Sequence, residues 1–131
     1  MSGGYAVAPP EAPPRVQAAI DAGNQIAGAP YRYGGGHADA GERGFDCSGA
    51  ASHVLRAAGA MSGAMPSSGF RHFGESGPGE WISIYARKDH TFLVVAGLRF
   101  DTGYTGLPRG PQWSIKGRPA KGSVVRHPDG L

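Results

Sequence analysis

The sequence predicts an α+β fold, with N-terminal helices packed on an antiparallel β-sheet. Three observations carry this. Apolar residues recur at three- and four-residue steps in two stretches of the first half, which is the period of one helical face. From Trp81 onward, β-forming residues gather in short runs. The two patterns are segregated along the chain instead of alternating, which favours α+β over a parallel α/β sheet.

The elements follow in order. Pro9, Pro10 and Pro13 rule out a regular helix or a central strand in residues 1–13, which are expected to form a flexible tail or the remnant of a linker. Residues 14–131 are then the folded domain. Over 14–28, Val16, Ala19, Ile20, Gly23 and Ile26 make one apolar face; Pro14 suits the first turn and Gly28 the stop. A glycine-rich loop runs from Tyr31 to about Phe45. A second helix is predicted from Cys47 to Ala58, with Asp46 as its cap, an apolar stripe of Ala50, Ala51, Val54, Leu55 and Ala58, and Gly59 just past its end. A short helical turn is expected near Ser67 to Phe73. Strands are predicted over Trp81–Ala86, Thr91–Val95 and Leu98–Asp101, the last two joined at Ala96-Gly97, with a short final strand at Val124 and Val125.

Composition narrows the function classes. The 131 residues suit one domain with a modest core. The 23 glycines and 11 prolines are not periodic, so the chain is loop-rich without being a repeat protein. A net charge of +3 draws the protein to polyanions. The Lys and Arg residues are scattered and not interleaved with aromatics, so nucleic acid is not an expected partner. No stretch is long and apolar enough to span a membrane, and none reads as an export signal. Work outside the cell would need a signal that was trimmed or lies on a longer parent chain.

The single cysteine, Cys47, excludes an internal disulfide. At a helix start it sits in the positive end of the helix dipole, which favours the thiolate, the true nucleophile. The competing reading is a buried structural thiol. Among five histidines, His90 opens a predicted strand, where a side chain is held more firmly than in a loop. His37 lies in the glycine-rich loop and His127 near the C-terminus. His53 follows Cys47 by six residues, about 240° round the helix. Asp101 is the candidate to orient the imidazole. A two-residue turn at Ala96-Gly97 sets Phe92 opposite Asp101 and makes His90 their same-face diagonal neighbour. A one-residue slip would separate the two, and Asp101 could instead be a turn residue bonding Thr102 or Gly103. His37, Asp39 and Glu42 form a conceivable metal cluster, but a solvated loop is the preferred reading, and neither metal nor cofactor is expected. Trp81 and Trp113 read as packing residues.

The runs Gly28-Ala29-Pro30-Tyr31-Arg32-Tyr33-Gly34-Gly35 and Phe45-Asp46-Cys47-Ser48-Gly49 resemble the signature of the NlpC family of papain-like cell-wall cysteine peptidases. The order of elements is similar too, over about residues 14–103. The resemblance implies a papain-like fold. It also implies an endopeptidase that cuts peptidoglycan stem peptides, usually between D-glutamate and a diamino acid, in the cell wall or outside the cell. It implies Cys47 as nucleophile, His90 as base and Asp101 in the place of the third polar residue. Tyr31 corresponds to a tyrosine lining the site, and Asp46 and Ser48 to residues that hold the substrate's free amino end. The chain departs from the family in reading His90-Thr91-Phe92-Leu93-Val94 after the base, and in placing Asp where His is more common. Residues 104–131 match no part of the signature. An acyl or amide transferase on the same fold, a wall-binding module without catalysis and an injected toxin are the alternatives. A monomer is the working expectation.

Overall fold

A computed structural model describes residues 1–32, 35, 44–103 and 110–131. Among them the elements run α1 (Pro14–Ile26), α2 (Cys47–Ala57), α3 (Ser67–Phe70), β1 (Glu75–Ser76), β2 (Ile82–Arg87), β3 (His90–Val95), β4 (Leu98–Asp101), β5 (Gln112–Ser114) and β6 (Val124–His127). The strands form one sheet in the order β1-β6-β2-β3-β4-β5, with every pairing antiparallel. The protein is therefore α+β. No helix among the described residues is long and apolar enough to cross a membrane.

The helices form where the apolar periods predict. Pro14 begins α1, where its missing N–H costs nothing, and Val16, Ala19, Ile20 and Ile26 are buried along one stripe. In α2 the stripe of Ala50, Ala51, Val54 and Leu55 is buried likewise. These faces meet one side of the sheet, where alternation puts Ile82, Ile84, Ala86, Leu93, Val95, Phe100 and Trp113 into a single core. A Cβ at Gly23 of α1 would run into the Trp113 indole, so the small residue is what lets this ring pack against the helix.

The β3–β4 hairpin fixes the register that matters for function. Val95 pairs with Leu98, and Ala96 and Gly97 make a two-residue turn with φ of +50° and +83°. Positive φ at both positions gives the turn whose twist matches the strands. Glycine takes this conformation freely, whereas Ala96 is strained in it. Leu93 then faces Phe100 and Val94 faces Arg99. His90, Phe92, Val94, Arg99 and Asp101 consequently share the sheet face opposite the core side chains. On that face Phe92 stacks on Tyr85, with ring centroids 4.9 Å apart.

Three expectations need revision. The first 13 residues, expected as a flexible tail, lie against α1: Ala6 and Ala12 are buried. Asn24 grips Ala6 by both backbone groups, accepting its N–H at 2.9 Å and donating to its carbonyl at 3.0 Å. Gln17 donates to the Ala12 carbonyl at 2.8 Å. Small residues and prolines carry no periodic signal, so packing of this kind is invisible to pattern reading. Second, β1 and β5 were not anticipated, because both are very short and β5 lies in a glycine- and proline-rich stretch. Third, strand limits shift: β2 runs Ile82–Arg87 instead of Trp81–Ala86, β3 takes in His90, and β6 runs two residues past Val125 to His127.

Candidate active site

Local structure sets the thiol first. Asp46 is extended and caps α2, its Oδ1 accepting the Gly49 N–H at 2.7 Å and the Ser48 hydroxyl at 3.3 Å. The Gly35 carbonyl accepts the Asp46 N–H at 3.1 Å, and a Cβ at Gly49 would collide with that same carbonyl. Gly35 and Gly49 are thus a matched pair that brings the Gly35 backbone onto the helix start. Cys47 is the first helical residue, half-buried and free of any disulfide. Its N–H is one of the helix-start donors with no partner inside the helix. Asp46 and Ser48, expected to contact substrate, are both buried at this cap. Tyr31 is exposed and forms a parallel bridge with Phe45, which sets its backbone beside the residue that precedes the Asp46 cap.

The sheet supplies the candidate base. His90 is the first residue of β3, and it and Thr91 interact with Cys47 at the start of α2. Its Nε2 lies 2.8 Å from Asp101 Oδ1, as the diagonal relation predicts, and Asp101 is buried. With Nε2 held by the carboxylate, Nδ1 is the ring nitrogen left for the thiol. Asp101 does not act as a simple turn residue, although its Oδ1 also accepts the Thr102 N–H at 2.7 Å.

Charges follow from this packing. Burial pushes the Cys47 thiol up, but hydrogen bonding to His90 and Ser67 and the charge of His90 outweigh it, so the pKa lies below the ordinary thiol value. Burial works against a charged His90 as well. The hydrogen bonds to Asp101 and Cys47 and their charges reverse this and raise His90 to about 9. Asp101 is held below the usual carboxylate range, since His90 and Arg118 more than offset its burial. The arrangement favours a thiolate–imidazolium pair steadied by a carboxylate.

Three participants escaped the sequence reading. Ser67, at the start of α3, places its hydroxyl 3.3 Å from the Cys47 sulfur, where it can donate to a thiolate. Arg99 donates to Asp101 Oδ2 at 2.7 Å and is itself tied to the Lys116 carbonyl at 2.9 Å. It stands two residues from Asp101 on one strand face, a signal that alternation could have revealed. Arg118 reaches in from the irregular stretch after β5, donating to Asp101 Oδ2 at 2.9 Å. No periodicity marks its position.

The other histidines lie elsewhere. His53 is half-buried on α2 beside Phe45, its pKa lowered by burial and by Arg56. His72 is exposed, and His127 pairs with Glu75 at 3.4 Å at the β1–β6 end of the sheet. His37, Asp39 and Glu42 fall outside the described residues, among which no group of three His, Cys, Asp or Glu side chains could hold a metal ion. Comparison with protein-family models, with curated proteins and with solved structures finds no match to the chain.

Proposed function

We propose that this protein is a papain-like cysteine peptidase that hydrolyses peptidoglycan stem peptides, at the bond between D-glutamate and a diamino acid. The observation that carries the reading is the meeting of a helix-start thiol with an imidazole that a buried carboxylate holds at 2.8 Å. The resemblance of the Tyr31–Gly35 and Phe45–Gly49 runs to the NlpC family supplies the substrate class. The net charge of +3 suits an acidic wall polymer.

In the proposed reaction His90 takes the Cys47 proton on Nδ1, and the thiolate attacks the scissile carbonyl. The Cys47 N–H donates to the oxyanion at the helix start. His90 gives its proton to the leaving amine, forming a thioester. Water, deprotonated by His90, then releases the acid and restores the thiol. Asp101 fixes the ring and stabilises its cation. Tyr31 is proposed to line the site near the thiol, and Asp46 and Ser48, on either side of Cys47 in the chain, are the proposed contacts for the free amino end of a short stem peptide. Such a substrate places the work in the cell wall or outside the cell.

Purified peptidoglycan and defined stem peptides incubated with the protein and with Cys47→Ala, read by mass spectrometry, test this. Fragments cut after D-glutamate and released only by the parent protein support it. Wall binding by both without release points instead to a binding module. Products that appear only with an added amine acceptor point to a transferase.

A further inference from the structure

The Cys-His-Asp group does not account for the most crowded point of the site. Asp101 receives four donors: His90 and the Thr102 N–H on Oδ1, Arg99 and Arg118 on Oδ2. Arg99 and the Thr102 N–H suffice to hold the carboxylate in place, because both belong to the same strand end and Arg99 is anchored at Lys116. Arg118 contributes something different. Its Nη1 lies 2.8 Å from His90 Nε2 as well as 2.9 Å from Asp101 Oδ2.

A ring nitrogen that donates its hydrogen to Asp101 cannot accept another from Arg118. With the proton on Nε2, the guanidinium therefore acts on the imidazole through its positive charge and not as a donor to it. It is held there by the carboxylate and by the Phe92 ring, whose centroid lies 5.7 Å from its carbon. Two cations beside one carboxylate leave less of that negative charge for the imidazole. An imidazole facing Asp101 undiluted would bind its proton firmly, and a group that does so is a poor donor to a leaving amine.

We propose that Arg118 is a positioning residue of the active site, which shares Asp101 with His90 and limits how firmly the imidazole keeps its proton. The significance for catalysis rests on the peptidase reading, whereas the charge relation does not depend on it. Among the described residues, the other charged and titratable groups on the elements around the ring are Cys47 on α2, Arg87 and Tyr85 on β2, Asp89 in the β2–β3 turn, and Arg99 and Asp101 on β4. Of these, Arg87 is paired with Asp89 at 3.1 Å and Arg99 donates to Asp101 Oδ2 at 2.7 Å, whereas Arg118 lies 2.8 Å from Nε2 itself.

The test titrates His90 by NMR of ring-labelled histidine, assigned with His90→Gln, in the parent protein and in Arg118→Met, Arg118→Gln and Arg118→Lys. In parallel, the pH dependence of Cys47 alkylation by iodoacetamide reads the thiolate, unambiguously because the chain has one cysteine. Neither readout needs a substrate, so the inference can fail while the peptidase reading stands, and the reverse. Loss of the charge in Met or Gln should move the His90 midpoint up by roughly one pH unit, a tenfold tighter hold on the proton. The onset of alkylation should move up with it, and Lys should stay close to the parent. Should the Met variant fail to fold, the Gln and Lys pair carries the comparison. An unchanged midpoint in the neutral variant, a downward shift, or a Lys variant that behaves like Gln would overturn the proposal.

Discussion

At the start of α2, Cys47 is set by backbone geometry: a capping carboxylate, a helix dipole and a loop carbonyl packed against Gly49. At the end of the β3–β4 hairpin, His90 and Asp101 are set by strand register, and a cluster of side chains then tunes them. The first region works through fixed dipoles that any sequence with the right caps would supply. The second works through ionised groups in mutual contact, so its chemistry depends on each partner's charge. Changes at the helix should therefore act mainly on stability, and changes at the hairpin on protonation and rate.

The sharpest test of that contrast is Asp101→Asn. The amide fills the same space but can neither stabilise the imidazolium nor pair with Arg99 and Arg118. Hydrolysis should fall about a hundredfold or more, measured as kcat/KM on whichever stem peptide is cut. Loss of a buried carboxylate shared by two arginines should also destabilise the fold by about 3 kcal/mol in denaturant titrations. Retained activity would remove Asp101 from the mechanism.

pH separates the two regions next. With Cys47 below its ordinary value and His90 at about 9, the ion pair exists between those limits. Alkylation of Cys47 should begin below the ordinary thiol range, and hydrolysis should decline as pH passes about 9. Because folding raises the His90 pKa, its contribution to stability is whole below the unfolded value of about 6.5. That contribution is lost as pH rises through about 9. Denaturant melts across that window should show the decline, which should be absent in His90→Gln.

Asp46→Ala is a smaller change. Removing the cap leaves the Gly49 N–H without its acceptor at the helix start and should cost about 1 kcal/mol of stability. Ala96→Gly is the smallest. It relieves the positive φ of the hairpin turn and should stabilise by about 0.5–1 kcal/mol in the same melts, with the His90–Asp101 contact unchanged. A destabilised Ala96→Gly would show that Ala96 contributes packing that outweighs its strain.

Much of this site was legible in the sequence because its placement is local. The helix stripes, the Asp46 cap and the Ala96-Gly97 turn each follow from residues within one element, and a two-residue turn there makes His90 the same-face neighbour of Asp101. Ser67 and Arg118 were not legible, since each reaches the site through tertiary packing from a stretch without periodicity. Arg99 lies between these cases: alternation places it on the right face, but only the structure shows that it turns toward Asp101. The burial of Ala6 and Ala12 was missed for the same reason as Arg118.

The hairpin that joins His90 to Asp101 has a further consequence, for the order in which the protein assembles. Their separation is 11 residues, and an antiparallel hairpin of that span closes on the order of microseconds. The thiol belongs to a helix that can dock only when the long connection through α3 and β2 has been drawn in, and such non-local contacts form late. The imidazole and its carboxylate can thus be paired while the cysteine is still an ordinary, weakly reactive thiol. During refolding at mildly acidic pH, iodoacetamide reactivity at Cys47 should appear with final helix docking and not with hairpin closure, so that the proposed nucleophile stays silent until the rest of the domain has formed around it.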